Sequence, residues 1–456
     1  MNANEYVKDM VKRAREAQQR FAASTQEQVD EAVRAVGKSV YDNAKPLAEM
    51  AVEETGIGNV AHKTVKNQAK PKATWWRLKG VKSRGVIRRL EEGVVEVAHP
   101  IGVLGCITPT TNPTMTPVHN AMIALKGGNA VIVGPHPRSA KTTFETVAIM
   151  RCALEEAGAP ADLIQCVKEP SVAVSREIME QCDATISTGG PGMVKAAYSV
   201  GKPAFGVGPG NVNVLIAEDA ENLEAIAQKV AKGRMYDNGV LCTCEQSVIV
   251  PDSLYADFVR ALEKEGAYYI DNPEEAARLG KAIFPDGTMD KRMVGATPAF
   301  IAEQAGIRIP EGTLFLAVRV EKTGDEGELL AKEKLSPVLA LYRYNGFSEG
   351  VQIAYRNICH EGTGHSAVIH TQDPERAEQF AIALPVARVG VNMVGSSGLG
   401  GAFDNGLMPT ATLGCGTWGN NSVAGNLWWD HLVNISKLAY VQEDREIPSD
   451  ADVWGE

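Results

Sequence analysis

Ile101-Gly102-Val103-Leu104-Gly105-Cys106-Ile107-Thr108-Pro109-Thr110-Thr111-Asn112-Pro113-Thr114 is the stretch on which the fold turns. Its uncharged first half reads as a buried strand, and the Pro/Thr/Asn run reads as the loop at that strand's carboxyl end. Thr116–Leu125 then reads as a helix. Outward from there the alternation recurs: Ala130–Val133 before Ser139–Ala157, Leu163–Val167 before Val172–Gln181, and Ala184–Ile186 before Met193–Val200. Strand and helix in turn predict a parallel sheet with crossover helices. A further helix, Glu221–Tyr236, runs into the turn Asp237-Asn238-Gly239. Beyond it Ser247–Val250 and a helix around Leu254–Lys264 resume the pattern, so two α/β domains meeting near residue 235 are expected. On the amino side, Ser24 and Glu27 have capping-box spacing for a helix reaching about Tyr41.

The chain has 456 residues, enough for two to three domains. Apolar residues make up 44% and charged residues 22%, a globular balance that excludes disorder as the main state. A net charge of −10 argues against nucleic acid or an anionic membrane as the partner. Val97–Leu125 lacks charges and is long enough to span a bilayer. Pro100, Pro109, Pro113 and Pro117 break it, so it reads as strand, loop and helix. Met1–Arg20 has no apolar signal core. The 8 cysteines follow no regular spacing, which argues against a disulfide framework. A soluble, reduced, cytoplasmic protein is expected.

Cys242 follows the turn at the expected domain junction, where a thiolate could meet a substrate, or it could be a buried small hydrophobe, as free cysteines usually are. Cys244 makes a Cys-x-Cys pair, but no further Cys or His recurs nearby to complete a metal site, so no metal is expected. Asn112 stands at the carboxyl end of a parallel strand, where open α/β sheets place their sites. Its carboxamide could donate to an oxyanion, or the Asn-Pro could simply form a turn. Thr188-Gly189-Gly190-Pro191-Gly192 lies between strand and helix and could face a phosphate. Gly206-Val207-Gly208-Pro209-Gly210-Asn211 precedes another strand. Gly414-Cys415-Gly416-Thr417-Trp418-Gly419 matches the dinucleotide fingerprint literally but opens no βαβ unit, so it reads as coincidence. In Pro135-His136-Pro137-Arg138-Ser139-Ala140-Lys141, Arg138 and Lys141 at a helix start would suit a nucleotide phosphate, or form a solvated turn.

Taken in order, Pro-Thr-Thr-Asn112-Pro-Thr, Pro-His-Pro-Arg138, residues 188–195, Asp-Asn-Gly-Val-Leu-Cys242, Glu333-Lys334-Leu335-Ser336-Pro337 and residues 413–419 resemble the CoA-acylating branch of the aldehyde dehydrogenase superfamily. The likeness covers essentially the whole chain. Within that branch it is similar to the sulfoacetaldehyde and succinate semialdehyde enzymes, and to the aldehyde dehydrogenase half of bifunctional alcohol/aldehyde dehydrogenases. The resemblance implies two Rossmann-like α/β domains and a small oligomerisation arm. The cofactor domain would span 1–232, with 85–100 joining the arm. The catalytic domain would span 233–415 and the C-terminal arm 416–456. It implies Cys242 as nucleophile, Asn112 as oxyanion donor and Cys244 as a packing residue. Glu333 would bind the nicotinamide-side ribose. Thr108, Pro109, Thr110, Thr188, Gly189, Gly190, Gly192 and Gly208 would lie against NAD or NADP, with His136, Pro137 and Arg138 near its adenosine end. Thr111, Ser396 and Ser397 would face the substrate, and His365 either helps the CoA thiol or is structural.

Hydrolytic relatives carry a general-base Glu in a run that aligns here with Gly206–Asn211. No acidic residue occurs between Asp183 and Glu218. Without a base to activate water, a thioacyl enzyme would wait for a stronger nucleophile such as the coenzyme A thiol. The expected reaction joins an aldehyde, CoA and NAD(P)⁺ in a homodimer or homotetramer, on a short anionic aldehyde or else acetaldehyde or propionaldehyde. An acyl-phosphate reductase of the same fold and a non-catalytic thiol protein are the rival readings.

Overall fold

The computed structural model describes residues 2–91 and 93–455. Four helices lead: α1 (Ala3–Phe21), α2 (Gln26–Asp42), α3 (Ala44–Thr55) and α4 (Val60–Leu78). In α2 the residues Val29, Ala32, Val33, Val36 and Val40 are buried, the spacing of one helical face turned to a core. Its capping box is Thr25 with Gln28, one residue later than the Ser24–Glu27 spacing predicted. Thr25 carries the extended backbone that an N-cap needs.

A three-stranded antiparallel sheet follows, β1 (Gly85–Arg89) and β2 (Val94–Pro100), completed by a strand from the far end of the chain. The first parallel sheet has strands β3 (Val103–Ile107), β4 (Ala130–Gly134), β5 (Ile164–Cys166), β6 (Ala184–Thr188) and β7 (Ala204–Val207), in the spatial order β5-β4-β3-β6-β7. The helix after β3, α5 (Met115–Lys126), is buried along its whole length. That explains how a long uncharged stretch can belong to a core. No helix among the described residues is long and apolar enough to cross a membrane. Strand order reverses between β3 and β6, the switch point at which such sheets open a crevice beyond their carboxyl ends.

The second sheet has seven parallel strands: β8 (Val212–Ile216), β9 (Glu245–Pro251), β10 (Ala267–Ile270), β11 (Phe315–Arg319), β12 (Val338–Tyr344), β13 (Ala367–His370) and β14 (Val389–Val391). Their order is β10-β11-β12-β9-β8-β13-β14. The chain therefore changes sheets at residues 208–211, well before the boundary expected at 232. β8 pairs with β9 and β13 of the second sheet, and this non-local pairing outweighs the turn signal at Asp237.

The remaining strands are β15 (Leu413–Cys415), β16 (Ala424–Asn426) and β17 (Val433–Ala439). β17 pairs antiparallel with β2, Val433 opposite Pro100 through Ala439 opposite Val94. Trp428, Trp429 and Leu432 sink into the core of the first sheet. The C-terminal segment thus starts as part of that domain and ends as an arm strand whose Ile435 and Leu438 are exposed.

Candidate active site

The carboxyl ends of β3 and β6 face the amino ends of β8 and β9 across a cavity of about 680 Å³. Its wall carries Cys242, Asn112, Thr111, Pro109, Thr188, Gly189, Gly190, Gly208, Glu333, Ser396 and Ser397. Sequence reasoning thus named a set of residues that the fold brings to one place.

Cys242 owes its position to a forced turn. Asp237 and Asn238 both hold left-handed backbone (φ 52° and 54°), and Gly239 follows at φ 74°. A side chain at Gly239 would strike Arg234 Nη2 and the Ser336 carbonyl. The buried Arg234 braces the turn by donating to the carbonyls of Glu245 (2.7 Å) and Gly239 (2.6 Å). The β8–β9 ladder shifts register between Val212 and Asn213, an irregularity of the kind that re-aims side chains beside active sites. From the other side Gly210 presses on Cys242: a Cβ there would fall 2.1 Å from the Cys242 carbonyl oxygen, which only glycine avoids.

Cys242 is partly exposed, and that surface is cavity wall. Cys244, Cys106, Cys166, Cys182 and Cys415 are buried. The Cys242 backbone N–H makes no hydrogen bond among the described residues. Burial pushes the Cys242 thiol above its ordinary range, Glu333 and the neighbouring thiols add to this, and Arg388 opposes it. The Arg388 guanidinium is buried without a carboxylate partner among the described residues, held by the Ser366 hydroxyl (3.2 Å) and the Gly414 carbonyl. Burial lowers its pKa to about 10.

Glu333 is set by its neighbours. Lys334 is fully buried and donates to the carbonyls of Leu330 (2.7 Å) and Lys332 (2.8 Å), fixing the segment. Glu333 Oε1 accepts from Gly210 N–H (3.1 Å), while the Glu333 N–H donates to Glu361 (2.6 Å). Desolvation, then Glu361, raise the Glu333 carboxyl to about 8. Glu361 also lines the cavity, so the wall is not free of carboxyl groups, although the loop 208–211 carries none. Below pH 8 Glu333 is mostly protonated and a poor base for water. As pH rises through that value its new charge opposes Cys242 ionisation. Glu333→Gln should therefore move the pH midpoint of Cys242 alkylation by iodoacetamide downward, a shift read directly from inactivation rates.

Several expected residues lie elsewhere. His365 is fully buried and absent from the cavity wall, its pKa lowered to about 3 by burial and then Arg388. It lies just before β13, both ring nitrogens buried and without a hydrogen-bond partner among the described residues. Thr108 is buried at the end of β3, its hydroxyl without a partner, and Thr110 and Gly192 are off the wall. His136, Pro137 and Arg138 are exposed beyond β4, outside the cavity. The helix they introduce, α6 (Ala140–Glu156), does not offer its amino end to a phosphate. Glu54 of α3 occupies it, accepting from the N–H groups of Lys141 (2.9 Å) and Thr142 (2.8 Å). A carboxylate already satisfies those donors.

Three lysines were missed. Lys63, Lys66 and Lys70 stand along α4 (Val60–Leu78), the last two on the cavity wall. Lys63 (2.9 Å) and Lys66 both donate to Asp237 Oδ2. Among the described residues Lys70 Nζ has only the Gly400 carbonyl (2.8 Å), and burial lowers it to about 8. A lysine every third or fourth residue is the only sequence signal, and solvated helices carry it too.

The residues present fit a dinucleotide. The switch-point crevice opens on Gly189 and Gly190, and a Cβ at Gly190 or Gly192 would meet open space, so their backbone stands clear. The Thr108 hydroxyl, buried and without a partner among the described residues, stands at the carboxyl end of the neighbouring strand β3.

The aldehyde dehydrogenase family profile matches residues 1–403. A succinate-semialdehyde dehydrogenase (acetylating) from Clostridium kluyveri is 42% identical over 98% of this chain and 99% of its own. A sulfoacetaldehyde dehydrogenase from Acholeplasma is 40% identical over 98% and 93%. The crystal structure of an acetylating aldehyde dehydrogenase from Geobacillus thermoglucosidasius superposes with a TM-score of 0.93 at 39% identity, covering 98% of both chains. A propionaldehyde dehydrogenase from Rhodopseudomonas palustris, solved with bound CoA and an acylated cysteine, gives 0.85 at 27%, covering 95% of this chain and 96% of its own.

Proposed function

The chain belongs to the aldehyde dehydrogenase family, and on that footing we propose that it converts a short anionic aldehyde and CoA to acyl-CoA, reversibly, through a thioester on Cys242. The observation that carries this is one cavity wall holding Cys242, its unpaired backbone N–H and Asn112. The Cys242 sulfur adds to the aldehyde carbon, and the carbonyl electron pair moves onto oxygen. Asn112 and the Cys242 N–H receive that oxyanion. NAD(P)⁺, when bound along Thr188–Gly190, Gly208 and Glu333, supplies the acceptor for the hydride that leaves the same carbon. CoA thiolate then adds to the thioacyl carbon, and collapse of the second oxyanion expels the Cys242 thiolate. Water is a weak competitor because the loop 208–211 offers no carboxylate and Glu333 is largely protonated at neutral pH.

An anionic tail, carboxylate or sulfonate, suits Lys70. Its ammonium faces the cavity with a single carbonyl partner, and nearby Ser396 has a buried hydroxyl with none. An anion there would restore the charge that burial depresses. Lys70→Met should raise KM for succinate semialdehyde or sulfoacetaldehyde by about 10- to 100-fold, the worth of one charge-assisted hydrogen bond. KM for acetaldehyde should hold within about threefold. The functional test follows nicotinamide absorbance across these aldehydes with CoA, with phosphate and with neither. CoA dependence supports the proposal, while phosphate dependence would replace it with an acyl-phosphate reductase. Exposed Ile435 and Leu438 on β17, with Tyr440 and Val441 beyond, support a homodimer or homotetramer built through the arm.

A further inference from the structure

Asn112 does not stand alone. Lys66 Nζ donates to its Oδ1 at 2.6 Å and, from the same ammonium, to Asp237 Oδ2. An ammonium only donates, so the contact fixes which end of the carboxamide is oxygen. Nδ2 is then the end turned away from Lys66, and its one hydrogen bond among the described residues is a long one of 3.3 Å to Thr111 Oγ1. A positive donor on Oδ1 also draws charge from the amide and strengthens its N–H groups as donors.

The surroundings give this contact a second use. Lys63 and Lys66 share the single carboxylate of Asp237, and all three side chains are buried. Asp237 Oδ1 accepts from the Asn59 N–H at 3.0 Å. His62 takes the Asp237 N–H on Nδ1 and stacks on Tyr236. Burial lowers the His62 pKa and raises that of Tyr236, so both face the cluster neutral. Two ammonium groups against one carboxylate leave an excess positive charge touching the oxyanion donor. A charge that develops only during reaction would complete it.

We propose that Lys66 is a positioning residue for the oxyanion steps, acting through Asn112. The proposal rests on the acylating reading above. Lys66→Met should lower kcat by about 10- to 100-fold in both directions, with KM for aldehyde and NAD(P)⁺ held within about threefold, and Lys66→Arg should recover part of the loss. In the Asn112→Ala background, adding Lys66→Met should slow turnover no further. Alkylation of Cys242 by iodoacetamide, which forms no oxyanion, should keep its rate in every variant. Wild-type kcat in Lys66→Met, losses that multiply in the double variant, or alkylation falling in parallel with kcat would each overturn the proposal. Wild-type protein that turns over without CoA, yet slows with Lys66→Met, would overturn the acylating reading and leave the role of Lys66 supported.

Discussion

Cys242→Ala is expected to lose CoA-dependent turnover by on the order of 10⁴-fold or more, because no other group can hold the acyl chain. Cys244, two residues on, offers no rescue. It is fully buried, its sulfur lies 3.8 Å from the Tyr236 carbonyl, and burial pushes its thiol up to about 12. Cys415, the last residue of β15, is buried against the loop at Gly208. The variant should fold, since Cys242 projects into a cavity and its loss removes little packing, within about 1 kcal/mol. Stopped assays with acyl-CoA and NAD(P)H, beside a thermal unfolding curve, separate chemistry from stability. Retained turnover would move the nucleophile elsewhere.

Asn112→Ala should lower kcat by about 10²- to 10³-fold, the cost of removing one oxyanion donor. The aldehyde KM should change by no more than a few-fold, because the interaction strengthens only as charge forms on oxygen. Lys66 would keep Asp237 as its partner, so no buried ammonium is orphaned. Asn112→Asp should be at least as slow, since a carboxylate facing the developing oxyanion repels it. Equal rates for Asn112→Ala and the wild type would remove Asn112 from the mechanism.

Cys242 and Asn112 were singled out by the ordered set of motifs shared with the family; locally each offered only a turn before a strand or a loop at a strand's carboxyl end, which a structural residue would share. The Gly-rich loops carried the same kind of information. What stayed hidden came from pairing at long range. Strand β8 joins β9 and β13, so the sheets part near Gly208 although the strongest turn signal lies at Asp237. Glu54 reaches the start of α6 from α3 and cancels a phosphate site that Arg138 and Lys141 seemed to offer. Lys66 meets Asn112 and Asp237 across many residues of sequence, and nothing in a solvated-looking helix announces it. His365, weighed as a helper for the CoA thiol against a structural role, is enclosed. The absent acid in the loop 206–211 was read correctly from the sequence. The carboxyls that do line the wall, Glu333 and Glu361, arrive from elsewhere in the fold.

Intact-protein mass spectrometry after mixing with aldehyde and NAD(P)⁺ in the absence of CoA tests the central claim most directly. The account predicts a single acyl adduct, mapping to the Cys242 peptide, with one equivalent of nicotinamide reduced per subunit and then a stall that added CoA relieves as acyl-CoA appears. Steady turnover without CoA, releasing the free acid and leaving no adduct on Cys242, would contradict it.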